Sequence, residues 1–448
     1  MKYSNFLLPI FALYFGLSLL NAQNSSILEE YIRTGLAGNL GLQQQSFDLQ
    51  KSQEAIRQAK NLFYPTFSFN ANYTRAVGGR SIDFPIGDLL GPLYQQAFQI
   101  PSPAPNQKIQ FLPDNFQETK IKFAYPLFNS DLRYNRQIQD QLYQSKTAQK
   151  AAYAHQLRYQ ITEAYLQYLQ AREAEKIWQN AKTLLTELRR FNESLVKNNV
   201  ATRDVVATAD YELSKADNEI FKLRSGQNTA RAYFNFLINK DLQGEVIADT
   251  ALLRVVVPAY QVDDLVQKAL ANRPEFEALR TGLEAAETDV KRNEANRKLP
   301  DFYLGGEFGM QGYGYKFNGD QAYALAQVGM TYDLYDAGQR KSKTQVARIE
   351  SEKTRTQVAQ VQQQIALQVT QAWNDLEAAR NGYTTSQTGL RAAEETFRII
   401  NNKYRASQVL LIEFLEAQNR VTTARLQSSL ALVDILSKEA ALRQAAGL

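Results

Sequence analysis

From Gln339 to about Ala446, apolar residues recur at the coiled-coil spacing, which predicts two long helices joined by a short turn. Ile365, Val369, Ala372, Leu376, Ala379, Tyr383, Leu390, Ala393, Phe397, Ile400 and Tyr404 share one seam, broken only by Ser386. After a turn through Arg405 to Val409, the spacing continues through Phe414, Ala417, Val421, Ala424, Ala431, Ile435 and Leu442, with Ser428 and Lys438 interrupting. A narrow seam of period near 3.5 predicts an antiparallel pair with a left-handed supercoil, and its many alanines permit close backbone approach. The same pattern occurs earlier, in a helix from about Leu132 to Lys197, a turn near Asn198 and Asn199, and a helix to about Ile238. Leu157, Ile161, Ala164, Tyr168, Ala171 and Trp178 mark the first seam. Val206, Ala209, Leu213, Ala216, Ile220, Leu223, Ala230, Phe234 and Leu237 mark the second. At about 1.5 Å per residue the first helix would be roughly 100 Å long, more than a globular domain holds.

Ahead of each helical pair lie two segments with a period of two. Phe67, Phe69, Ala71 and Tyr73 alternate with Thr66, Ser68, Asn70, Asn72 and Thr74, and Ile121, Phe123, Tyr125 and Leu127 alternate with Lys120, Lys122 and Ala124. Between them, Gly78 to Asn115 is rich in proline and reads as a long loop, a candidate lid or plain surface. The later pair sets Phe302, Leu304, Phe308 and Met310 against Tyr303, Gly305, Glu307 and Gln311, then Val328, Met330, Tyr332 and Leu334 against Gln327, Gly329, Thr331 and Asp333. A helix precedes each pair, Ile27 to about Leu62 before Pro65 and Asp263 to Lys298 before Pro300, with Asn61 and Asn296 in matching places. Tyr125-Pro126-Leu127-Phe128 answers Tyr332-Asp333-Leu334-Tyr335, and Ala164-Tyr165 answers Ala372-Trp373.

One plan is therefore used twice. A first repeat spans 23–240 (helix, β-hairpin 65–128, long helical hairpin 130–238), and an irregular connector spans 241–262. A second repeat spans 263–448 (helix, β-hairpin 300–335, long helical hairpin 339–446). Residues 1–22 read as a cleaved secretory signal, with Lys2 in front of an apolar run from Phe6 to Leu20 and small Ala22 at the cut. That run is shorter than the roughly 20 residues of a membrane span, and no other stretch qualifies, so insertion into a membrane would have to use strands.

Composition removes most chemistry. With no cysteine and one histidine, His155, the chain cannot build thiol, disulfide, zinc or serine-histidine sites, and an enzyme would have to run on carboxylates. No cofactor is implied. The net charge of +5 is small for 448 residues and is spread over helix faces, so there is no footprint for nucleic acid.

Strands of about ten residues with one aromatic-rich face and one polar face are the signature of an outer-membrane barrel. Four cannot close a barrel, and an open edge in lipid strands backbone groups at several kcal/mol each, so the barrel must be shared between copies. Two copies give about eight strands and a filled interior, whereas three give about twelve and an aqueous pore. Lys120, Lys122, Glu307 and Asp333, with the serines, threonines and asparagines beside them, are the candidate lumen residues.

In this order and spacing, Asn272-Arg273-Pro274-Glu275, the junctions Asn61 to Pro65 and Asn296 to Pro300, Tyr332 to Gly338 and Tyr404 to Gln418 make the chain resemble the non-lipidated TolC-like outer-membrane efflux proteins over its mature length. The fold class implied is an α+β membrane protein: a homotrimer whose twelve-stranded barrel, set in outer-membrane lipid, continues into a periplasmic α-helical coiled-coil barrel. The function implied is the passive outer conduit of a tripartite efflux pump or type I secretion system. Its partners would be a periplasmic adaptor (membrane fusion protein) and an inner-membrane pump or ABC transporter.

The resemblance also assigns candidate sites. Glu413 and Glu416 fall where the family carries acidic residues of a periplasmic constriction, and three apart on a helix they share a face. Carboxylate rings at a constriction select cations. Tyr404 matches a tip-closing tyrosine, with Asp204 as its candidate partner one residue off register. Asn199 and Ser407 stand where the family has tip glycines and are the candidate adaptor-docking positions, while Val409 replaces an expected basic residue. Two alternatives remain at this level. A poreless periplasmic coiled-coil adaptor or scaffold would explain the helices but gives no reason for the aromatic strands. Glycosidase-like use of Glu413 and Glu416 has no concave aromatic pocket around it.

Overall fold

The computed structural model describes residues 27–100, 105–249, 252, 257–314, 316 and 318–448. The expected signal segment, 1–22, lies outside the described residues, as does most of the connector's β-rich stretch from Leu252 to Val257.

Each helix expected ahead of a strand pair is in fact two. Helix α1 (Ile27–Gly38) gives way to α2 (Leu40–Asn61) at Asn39. The Asn39 carboxamide accepts the Leu42 N–H at 3.1 Å and donates to the Leu237 carbonyl at 2.9 Å, so it starts α2 as a cap and fixes the bend. In the second repeat α6 (Val262–Asn272) stops at Arg273, which is extended, and α7 begins on Pro274. A proline pushes the preceding residue out of the helical region and is itself well placed at a helix start. Helix α7 (Pro274–Lys298) then runs to the third long strand.

The strands are β1 (Thr66–Thr74), β2 (Ser81–Phe84), β3 (Gln107–Gln110), β4 (Phe116–Phe128), β5 (Asp301–Tyr313) and β6 (Ala322–Thr331). Strands β1, β4, β5 and β6 form an antiparallel sheet in that order, and β2 with β3 forms a separate hairpin. Helix α3 (Ile86–Phe98) connects β2 toward β3, so the expected long loop carries structure of its own. Its prolines bound or interrupt short elements rather than preventing them, with Pro85 just before α3 and Pro92 inside it. The fourth long strand also ends earlier than expected, at Thr331, leaving Tyr332 to Leu334 outside the sheet. Beside Pro126, which has no N–H for the ladder, the β4–β5 register slips and Leu127 is left unpaired.

The long helices are α4 (Ser130–Lys197), α5 (Asp204–Leu237), α8 (Gln339–Arg405) and α9 (Leu411–Ala446). The starts of α4 and α8 are solved alike. Asn129 Oδ1 accepts the Leu132 N–H at 2.9 Å, and Asp336 Oδ2 accepts the Arg340 N–H at 2.8 Å. These two residues directly follow the matched Tyr125–Phe128 and Tyr332–Tyr335 stretches.

Two compact units result. One holds residues up to Ser52, Leu142–Leu283 and Lys353–Leu448, and the other Gln53–Gln141 and Glu284–Glu352. In the first unit, α1 lays Leu28, Tyr31 and Ile32 on Leu157, Ile161 and Tyr165 of α4 and Phe234 and Ile238 of α5. Leu265 and Ala269 of α6 pack in the same way on Ile365, Val369 and Leu376 of α8 and Ile435 and Leu442 of α9. The seam expected from the spacing is therefore the buried face. Its polar interruptions have partners: Ser428 accepts from Gln387 Nε2 at 2.7 Å, and Lys438 lies 3.6 Å from Asp375.

Candidate functional site

Both helical hairpins close through the same turn. Asn199 (φ 56°) and Ser407 (φ 57°) occupy the left-handed region just after α4 and α8. The Val200 N–H reaches back to the Leu195 carbonyl at 2.8 Å, and the Asn199 N–H to Val196 at 3.1 Å. At the other tip the Gln408 N–H donates to Lys403 and the Ser407 N–H to Tyr404, both at 2.9 Å. This is the Schellman arrangement, which satisfies the last helical carbonyls and normally takes glycine at the left-handed position. Asparagine holds that conformation through local hydrogen bonding more readily than serine.

The tip core gathers Leu185, Leu188, Ala216, Tyr404, Phe414 and Leu415. Tyr404 lies between Phe191, edge-on at 5.8 Å, and Phe414, tilted at 5.1 Å. Its expected partner, Asp204, is not its partner within the chain. The Tyr404 hydroxyl donates to Asn192 Oδ1 at 2.8 Å, while Asp204 accepts from the Thr202 hydroxyl. Asn192 is fully buried and passes the contact on, since its Nδ2 donates to the Val205 carbonyl at 3.0 Å. One amide thus ties α4, α5 and α8 together. Burial pushes the Tyr404 phenol above its ordinary range. Val409, standing where a cation was expected, packs against this core.

Glu413 and Glu416 are both exposed on α9. Glu413 has a structural task as well, accepting the Leu410 N–H at 3.2 Å and so capping the first turn of α9. The neighbouring Phe414 and Leu415 are buried, so the helix presents its carboxylates on the side opposite the tip core.

The sheet sorts its residues by face. Opposed residues Phe67–Phe123–Gly306–Ala326 and Phe69–Ile121–Phe308–Ala324 line one side. Phe69 and Val328 on that side are each 71% exposed, so no described residue covers it. Asn70–Lys120–Gly309–Tyr323 and Ser68–Lys122–Glu307–Leu325 line the other. There Lys120 is held between Glu118 and Glu307, 3.0 Å from the latter. Asp333, expected on this polar face, is not a strand residue. It lies beyond the end of β6, pairs with Arg340, and borders a charged cleft of about 910 Å³ with Asp131, Asp301 and Lys343. Within that cleft Asn296 accepts from the Ser130 hydroxyl (2.6 Å) and donates to Asp131 (2.9 Å), which fastens the end of α7 to the start of α4.

Among the described residues, no cluster of His, Asp and Glu could hold a metal ion, and no helix is long and apolar enough to cross a membrane. Sequence reading missed Asn192, Asn129 and Asp336. For the last two a signal was present, an Asn or Asp immediately ahead of a long helix. For Asn192 there was none, because a buried polar residue on a seam looks like a solvated one until its partner is known.

Residues 265–448 match the family described as outer membrane efflux protein. The chain is 23% identical over 290 residues to the outer membrane efflux protein BepC of Brucella suis biovar 1 (strain 1330), covering 64% of this chain and 62% of that relative. It thus spans less than two thirds of the length of the curated relative it matches. Among solved structures, the open state of the Neisseria gonorrhoeae MtrE outer membrane channel superimposes with a TM-score of 0.75 at 18% identity, covering 94% of this chain and 88% of that one. The Vibrio cholerae outer membrane protein VceC gives 0.74 at 15% identity, covering 94% of this chain and 96% of that one. Residues 265–448 thus match the outer membrane efflux protein family, and the chain as a whole has the fold of the solved outer-membrane channels.

Proposed function

We propose that this protein is the outer-membrane channel of an export system, assembled from three copies that share one twelve-stranded barrel. The observation that carries the reading is the four-stranded sheet with β1 and β6 as unpaired edges and an uncovered aromatic face. Exposed edges and an exposed apolar face are unstable together in water, and in lipid the edges must pair. Pairing β6 of one copy with β1 of the next removes every edge, and three copies leave a pore where two would fill it. Lys120, Lys122 and Glu307 then face water, and Phe67, Phe69 and Val328 face lipid. The poreless scaffold leaves this sheet without a purpose.

In this reading the helical hairpins form the periplasmic tunnel, and Glu413 and Glu416 repeat three times as two carboxylate rings that favour cations. The tips at Asn199 and Ser407 dock a periplasmic adaptor, which links the channel to an inner-membrane pump or ABC transporter. The chain is a passive conduit for small molecules or polypeptides. The family is one of channels and not of enzymes. Light scattering of the detergent-purified protein tests the assembly. Three copies per particle are expected, and a monodisperse folded monomer would refute it. For the tips, Asn199→Asp with Ser407→Asp should abolish adaptor capture, and full export by that variant would remove the docking assignment.

A further inference from the structure

We infer that the β2–α3–β3 module is a contact surface between copies of this chain, with the apolar stripe of α3 packed against the same stripe of its neighbours at the mouth of the barrel. The inference rests on the shared-barrel reading above.

Helix α3 is built as if to be buried and is not. Ile86, Leu89, Leu90, Leu93, Tyr94 and Ala97 fall on one stripe, with Asp88, Pro92 and Gln95 opposite. Yet no residue of α3 is buried in the chain, and Leu89 and Leu93 are 68% and 64% exposed. Nor is it a helix that stands on its own. It has 13 residues, carries Gly87 and Gly91, and contains Pro92, which deletes a helical hydrogen bond. Isolated helices this short are marginal even without such residues, so packing has to hold it.

The module is also placed rather than loose. Asp114 accepts the Ala76 N–H at 3.0 Å and pairs with Arg75 at 3.4 Å. Tyr73 donates to Asn115 at 2.7 Å, and the Asn115 carbonyl accepts the Gly314 N–H at 2.8 Å. These bonds fix the module to the end of the sheet where Thr74, Phe116 and Tyr313 meet, the end away from α2, α4 and α7. It emerges from β1, an edge strand. In a shared barrel that edge is the seam with the next copy, so the stripe lies beside the interface between copies.

Charge argues against a lipid surface as the occupant. Between Ala76 and Asn115 the charged residues are Arg80, Asp83, Asp88, Lys108 and Asp114, and the polar face of α3 has no cation. Interfacial helices on anionic membranes are rich in Lys and Arg on that face. A near-neutral, apolar stripe repeated around a threefold axis fits the same stripe of the other two copies, which can meet it at that axis over the mouth.

The chain has no cysteine, so single thiols report without background. Leu89→Cys, Leu93→Cys and, on the opposite face, Asp88→Cys are each reconstituted into vesicles with brominated lipid and treated with a short bismaleimide, or labelled with bimane. The expected result is cross-linked dimers from Leu89→Cys and Leu93→Cys, none from Asp88→Cys, and loss of the Leu93→Cys dimer when Leu89→Arg is added. Three copies by light scattering with reactive but uncross-linked thiols at both leucines would overturn the module contact alone. Quenching of bimane at Leu93 by brominated lipid would overturn it in favour of the membrane. Absence of three-copy particles would overturn both the contact and the barrel.

Discussion

Asn199 and Ser407 hold the same left-handed backbone, but at different cost. An L-residue pays about 1–2 kcal/mol there, which asparagine recovers in part. Ser407→Gly should therefore strengthen its turn by about 1 kcal/mol, and Asn199→Gly by less, since added chain freedom offsets the relief. Hydrogen exchange at the Gln408 and Val200 amides, which close the two turns, reads this directly. Weaker protection at Gln408 in Ser407→Gly would contradict the strain argument. Asn192 carries more. Asn192→Ala leaves the buried Tyr404 hydroxyl without its partner and removes the side-chain bond to the Val205 carbonyl, at about 1–3 kcal/mol, and Tyr404→Phe strands the Asn192 oxygen at a similar cost. The double variant should lose less than the sum, because both changes remove one network. Additive losses in denaturant unfolding of the tip would show that the two side chains act separately.

At the scale of elements, the pairing of β4 with β5 leaves no room for a side chain at Gly309. A Cβ there would lie 2.2 Å from the Thr119 oxygen and 2.6 Å from the Lys120 Cα, both backbone atoms that cannot move without parting the strands. Gly309→Val should abolish three-copy particles, while Gly282→Ala, with open space around it, should leave them intact. Normal assembly of Gly309→Val would mean that the strand pairing is wrong. The anchor of the α3 module has a pH dependence of known sign. The Ala76 N–H, and then Arg75, hold the Asp114 carboxyl below its ordinary value of 3.8. Its contribution is thus present above that value and is lost as pH falls through the depressed one. Protection of the Ala76 amide should vanish with it, and Asp114→Asn should remove that pH dependence.

These elements also show what a sequence can and cannot display. The seams were legible because Ile365, Val369 and Leu376 repeat at a fixed period over many turns. The strand faces were legible because Phe67, Phe69 and Ile121 alternate with polar neighbours. The bend at Arg273 carried its own signal in Pro274, masked by uninterrupted helical spacing on both sides. At Asn39 the cap on Leu42 is local, but the bond that fixes the bend reaches Leu237, distant in sequence, and the local spacing does not show it. Tyr332 and Leu334 keep the alternation after the pairing has stopped at Thr331, so the fourth strand looks longer in sequence than it is. The resemblance offered Asp204 as the partner of Tyr404, and nothing local in the sequence marks Asn192, which takes the Tyr404 hydroxyl within the chain.

For the molecule as a whole, the proposed assembly closes three sheets into one aqueous pore that continues into the helical tunnel. Mass alone would not show that the assembly conducts. Single-channel conductance in a planar bilayer does, with the wild type beside Glu413→Gln/Glu416→Gln. Glutamine keeps an oxygen for the Leu410 N–H at the start of α9, so the change removes charge and spares the cap. Discrete channels are expected, with a cation preference that weakens in the double variant. A folded, membrane-inserted protein that passes no current would contradict the proposed assembly.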